Sequence, residues 1–233
     1  MTHSNSVAFS EVHNAIESRR FDFATHPFLK RLDASSDIDD VRVMAQSLTF
    51  YVLAFQDMLR ISAHELRATQ FAALAQTHYL EDKGHQLWFL DDLKKLGVSV
   101  EVSQIFGARY DPVRDISYRL VSEVLRPSAD AASVAVVLSL EAVGAEFFGR
   151  VIRLLTRAGF SERLSYFAPS HAEVESAHEV FEEGSQANLA SLPLSAEDLS
   201  ASLKAVDVTF EQMSLLGSVV LAEMDEARCD DVA

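Results

Sequence analysis

Two octapeptides decide how this chain is read: His78-Tyr79-Leu80-Glu81-Asp82-Lys83-Gly84-His85 and His171-Ala172-Glu173-Val174-Glu175-Ser176-Ala177-His178. The first runs His-x2-Glu-x3-His and the second His-x3-Glu-x2-His, so each is roughly the other reversed. Steps of three, four and seven residues return to one face of an α-helix. Each segment, as a helix, therefore presents two imidazoles and a carboxylate in one direction. Two such helices packed antiparallel set these donors face to face, which is how a helical bundle builds a metal pocket.

The spacing restricts the kind of pocket. Residues seven apart rise about 10.5 Å along a helix, whereas metal–nitrogen bonds are about 2.0–2.1 Å for zinc. The two histidines of one segment are thus poor ligands for a single ion. They suit the two ends of a dinuclear site, whose ions lie about 3.5–4 Å apart, with a carboxylate bridging at mid-height. Glu175-x-x-His178 is itself the Glu-x-x-His element of carboxylate-bridged di-iron bundles. A lone helix histidine is more often just hydrogen-bonded, but four of the eight histidines fall in these two matched pairs.

Such bundles also draw glutamates from neighbouring helices. Glu141 is the candidate, set among Val137, Leu138, Leu140 and Val143, where an unpaired carboxylate is costly. Glu146, five residues on, faces elsewhere and reads as a surface acid or a partner of Arg150. Glu173 and Glu179 fall off the 171/175/178 face. Asp82 is an alternative to Glu81, although Glu81 lies closer to the line from His78 to His85. The candidate metal set is His78, Glu81, His85, Glu141, His171, Glu175 and His178.

The rest of the chain reads as helix. Pro27, Pro112, Pro127, Pro169 and Pro193 fall between long periodic stretches, and Gly97, Gly107, Gly159 and Gly184 follow apparent helix ends. No Asn-Gly or Asp-Gly hairpin signal occurs, and no alternating run argues for a sheet. Helices are expected over roughly 9–20, from Pro27, over 38–59, 65–96, 113–125 and 130–157, from Pro169-Ser170, and over 196–228. This is an all-α bundle of seven to eight helices in a single domain, 1–233, with 1–8 and 229–233 as tails.

Composition bounds the function. The 48% hydrophobic content is that of a chain with a core. A net charge of −15 argues against nucleic acid and anionic membranes, neither of which attracts an acidic surface. The longest apolar stretch, 131–155, carries Glu141, Glu146, Arg150 and Arg153, which argues against a membrane span. The single cysteine, Cys229, leaves no thiolate metal site and fits a reducing compartment. Met1 to Ser10 has no signal-peptide pattern. A cytoplasmic protein acting on a small molecule is the expectation.

At these residues the sequence resembles the heme-oxygenase-like di-iron oxidases, which share their fold with the thiaminase-II and PqqC-like proteins. The pattern in that family is Glu-x6-His on one helix, a lone Glu on the next core helix, and His-x3-Asp/Glu-x2-His on a later one. His171, Glu175 and His178 match the last element, Glu141 the second, and His85 the histidine of the first. His78 stands where the family has Glu, so either His78 takes that position or Glu81 supplies the carboxylate. The resemblance implies a heme-oxygenase-like bundle and a non-haem site for iron, two ions or one. It further implies O2 as co-substrate, an amino-acid-like or fatty-acid-like substrate, and a homodimer. Trp88, Phe147 and Phe148 are candidates for the substrate wall.

Three other readings compete. A metal-free enzyme of the PqqC or thiaminase-II kind would use the same histidines and glutamates to move protons. A haem protein of this fold would ligate through His13. A non-enzymatic helical scaffold would use the polar residues for packing alone.

Overall fold

The computed structural model describes residues 7–67, 69–126, 130–171 and 189–230. The candidates Glu175 and His178, like Glu173 and Glu179, lie outside the described residues. The elements are α1 (Ser10–Phe23), α2 (Pro27–Ala34), α3 (Ile38–Glu65), α4 (Thr69–Asp82), α5 (His85–Lys95), α6 (Val102–Ile105), α7 (Asp111–Val124), α8 (Asp130–Arg157) and α9 (Ala196–Asp230). A 3-10 turn, Ala108–Tyr110, precedes α7, and residues 169–171 are helical.

The helix starts are set by local chemistry. His26 accepts the Phe28 N–H on Nδ1 and Pro27 opens α2, where its missing N–H costs nothing. Asp37 accepts from Asp39 N at the head of α3, and Ser195 Oγ accepts from Asp198 N at the head of α9. One feature departs from the all-helical expectation. Val7–Ala8 and Pro193–Leu194 form a two-residue antiparallel ladder that ties the start of the chain to the entry of α9. It is too short to alter the fold class.

Helices α8 and α9 make the largest interface, with α1 and α2 laid across them; α3 packs against α4 and α7, and also against α5, α8 and α9. By length and composition alone α8 and α9 could each cross a bilayer, but their buried share packs on neighbouring helices. The core runs continuously from Val12 and Leu29 through Met44 and Leu120 to Val151 and Met224.

One buried ionic node joins three elements. Asp40 accepts from Arg31 at 2.9 and 3.0 Å and from Arg228 at 3.0 Å. Burial pushes its carboxyl up, but the bonds from Arg31 and Ser35 outweigh that and hold it below the usual range. A depressed folded value means stability that is present above the ordinary carboxylate range and lost as pH falls through the folded value. Asp40→Asn is expected to cost about 1.5–3 kcal/mol at neutral pH. In urea unfolding, its deficit against wild type should shrink as pH is taken below about 3.9.

Candidate metal centre

The expected single helix over 65–96 begins later and is broken once. Helix α3 runs on to Glu65, with extended backbone at Leu66, and the Arg67 N–H is held by Asp130 Oδ2 at 2.9 Å before α4 starts. The break, at Lys83-Gly84, shapes the site: Gly84 has φ 104°, a backbone conformation that L side chains rarely adopt. His78 therefore sits in the last turns of α4 and His85 is the first residue of α5. An alanine Cβ at 84 would meet nothing within 4 Å, so any penalty is conformational. Gly84→Ala is expected to destabilise by about 1–3 kcal/mol, read as a lower urea midpoint at unchanged m.

Spacing decides which carboxylate faces the histidines. Glu81 is exposed, whereas Asp82 is buried at 1% exposure between His78 and His85. The expectation of Glu81 is corrected to Asp82, which lies four residues after His78 and three before His85 and so shares their helix face. Asp82 Oδ1 lies 2.6 Å from His85 Nδ1, and Asp82 Oδ2 lies 3.6 Å from His78 Nε2.

Two further residues close the cluster. Glu141, 5% exposed in the middle of α8, puts Oε1 2.9 Å from His78 Nε2. His171, just beyond Pro169, brings Nε2 to 3.0 Å from His85 Nδ1. Its other nitrogen, Nδ1, donates to the Tyr166 carbonyl at 2.6 Å, which leaves the Nε2 lone pair turned toward the cluster. Five of the sequence candidates' neighbourhood thus meet at one point: His78, Asp82, His85, Glu141 and His171.

These donors form two triads, Asp82–His85–His171 and His78–Asp82–Glu141, each with its donor atoms within 4.8 Å of one another. Two ligands about 2.1 Å from one ion lie at most about 4.2 Å apart, and the contacts of 2.6–3.6 Å meet that limit. The donors are imidazole and carboxylate, without thiolate; Cys229 is exposed. Two histidines and one carboxylate is the donor set of non-haem ferrous oxygenases. Asp82 Oδ2 is buried and accepts no hydrogen bond, a cost that a bound cation removes. The residues fit iron.

A cavity of about 80 Å³ opens onto the cluster, with Asp82, His85, Glu141 and His171 on its wall. Phe147 and Phe148 line it, as expected, together with Phe23, Phe28, Val52 and Phe89. Trp88 does not; it is 45% exposed and stacks on His85 with ring centroids 4.3 Å apart. His13 is exposed on α1 and is not among the cavity residues, so it is no axial ligand for a group bound there. Glu146 is the Arg-paired acid expected, bonded to Arg150 at 2.6 Å and Arg20 at 2.9 Å.

One residue behind the site was not anticipated. Asp92, fully buried on α5, accepts the backbone N–H groups of Ser165, Tyr166 and Phe167 at 2.8–3.1 Å. It fixes the turn whose Tyr166 carbonyl orients His171. Burial raises its carboxyl above the usual range, with the three N–H bonds pulling the other way. The one available signal was its place seven residues after His85, on the same helix face.

Among solved structures, the chain is similar to a CADD-like protein of unknown function from Nostoc punctiforme PCC 73102. The two align at a TM-score of 0.65 and 15% identity, over 92% of this chain and 99% of the other. At that identity the likeness speaks for the fold, which is the heme-oxygenase-like one. No match was found among curated proteins. The sequence model described as iron-containing redox enzyme matches residues 42–208, which span α3 to α8, His171 and the first part of α9. With well over half of its residues in that match, the chain belongs to the family of iron-containing redox enzymes.

Proposed function

We propose that this protein is a non-haem di-iron oxidase or oxygenase that uses O2 to oxidise a small, largely apolar organic molecule. The observation that carries this reading is a buried imidazole–carboxylate cluster forming one wall of an otherwise apolar cavity. His85 and His171 with Asp82 would hold one ion, and His78 and Glu141 with Asp82 the other. Iron held there supplies the electron transfer by which O2 is reduced and the substrate oxidised.

The chain's own residues do the rest. Asp82 and Glu141 offset the charge of the ions in a site where water cannot. The Tyr166 carbonyl keeps His171 in the tautomer whose lone pair is on Nε2, the nitrogen that faces the cluster. Phe147, Phe148 and Phe89 exclude water and present a hydrocarbon surface to the substrate. The hydrocarbon lining favours a compound with an apolar body, amino-acid-like or acyl.

Anaerobic reconstitution with ferrous iron tests the reading. The protein should retain two ions per chain and, on exposure to O2, consume it with a transient near-visible absorption. Failure to retain iron would end the proposal and return the cluster to proton-transfer chemistry.

A further inference from the structure

The geometry points to Asp82 as the ligand shared by both metal positions, bridging them through its two carboxylate oxygens. This rests on the iron-site reading above and goes beyond it by assigning a ligand, and its role, that the His/Glu spacing of the sequence did not select.

Three observations support the assignment. Asp82 is the member common to both donor triads. Its oxygens are divided between them, with Oδ1 2.6 Å from His85 Nδ1 and Oδ2 3.6 Å from His78 Nε2. Oδ2 is buried without a hydrogen bond among the described residues, so a polar atom inside the protein is turned toward the His78–Glu141 side with that position still to satisfy.

The local spacing explains why Asp82 can do this. It lies four residues after His78 and three before His85, steps that share one helix face, so its two oxygens meet a histidine on either side. Among the described residues the two positions are unequal. One has two imidazoles and a share of Asp82; the other has one imidazole, Glu141 and a share of Asp82.

A shared ligand gives a distinctive pattern of loss. Removing it weakens both binding steps, whereas removing an unshared ligand weakens one. The probe is Mn(II) added anaerobically to the full chain, with stoichiometry from calorimetry and the coupling between ions from electron paramagnetic resonance. Wild type should bind two Mn(II) and give an exchange-coupled spectrum in place of the six-line signal of an isolated ion.

Asp82→Asn should weaken both steps by about tenfold or more and abolish the coupling. His78→Ala should weaken one step only, leaving a single uncoupled ion. Asp82→Glu, which restores a carboxylate, should recover a second ion, and circular dichroism of each variant guards against misfolding. The bridge is overturned if Asp82→Asn still binds two coupled ions, if it loses only one step, or if wild type binds a single ion. The last outcome leaves an iron site intact. Wild type binding no divalent ion overturns both the bridge and the functional reading.

Discussion

Replacing His171 by alanine is expected to weaken ferrous binding at the Asp82–His85–His171 corner by more than about 100-fold, since loss of a residue that merely supports a metal ligand already costs 10–100-fold. The ring is buried, its Nε2 stands 3.0 Å from His85 Nδ1, and its tautomer is set by Tyr166. Removing it takes away one of the three donors found there among the described residues and leaves a gap beside Phe148 and Tyr166, whose rings lie 4.8 and 4.9 Å from it. An anaerobic titration with ferrous iron reads the affinity, with thermal unfolding as the control for packing. The metal-free alternative predicts something different: turnover falls while metal content does not change. The two readings therefore separate on one variant.

The second large effect is expected at Asp92. Asp92→Ala leaves the N–H groups of Ser165, Tyr166 and Phe167 without their acceptor. The Phe167 N–H is buried and the other two are part-buried; at about 1–3 kcal/mol for a buried, unmet donor, the combined loss is about 3 kcal/mol. That is a large part of the 5–15 kcal/mol typical of a domain. For a chain of this length it lowers Tm by roughly 6–12 °C. Because the same turn orients His171, iron affinity should fall by about 10–100-fold as well, an effect that a packing defect remote from the site would not produce.

Asp92 also predicts a pH dependence. Its folded value is raised, so between the ordinary carboxylate range and that value the folded chain keeps a proton that the unfolded chain has lost. The unfolded state binds fewer protons there, and stability falls as pH rises through the window. Asp92→Asn, which cannot titrate, should flatten that slope relative to wild type in urea unfolding measured across mildly acidic pH.

How much of this could be read from the chain depends on the range of the interaction that fixes each feature. Helix α8 begins at Asp130 and ends at Arg157 as expected, because its apolar content and the stop at Gly159 are local properties. Glu141 could be singled out for the same reason: a carboxylate in that surrounding needs a partner whatever the fold. Glu81 and Asp82, by contrast, differ by one position on a helix, and periodicity admits either. Asp82, four residues after His78 and three before His85, is the one the packed chain buries. Trp88 was placed in the cavity by its size and its closeness to His85. It stacks on the outer side of that ring because it sits one turn beyond the new helix start.

The sequence by itself determined an all-helical chain, the order of its helices, and four residues of the cluster: His78, His85, Glu141 and His171. These follow from side-chain periodicity and from the cost of burying charge, both of which act over a turn or two of helix. Tertiary structure alone decided that His78 meets Glu141 and His85 meets His171, that Asp92 holds the turn before His171, and that the donors open onto a hydrocarbon cavity. The three pairings join residues more than sixty positions apart. Local pattern carries no record of them, because only the packed chain sets the angle at which one helix meets the next.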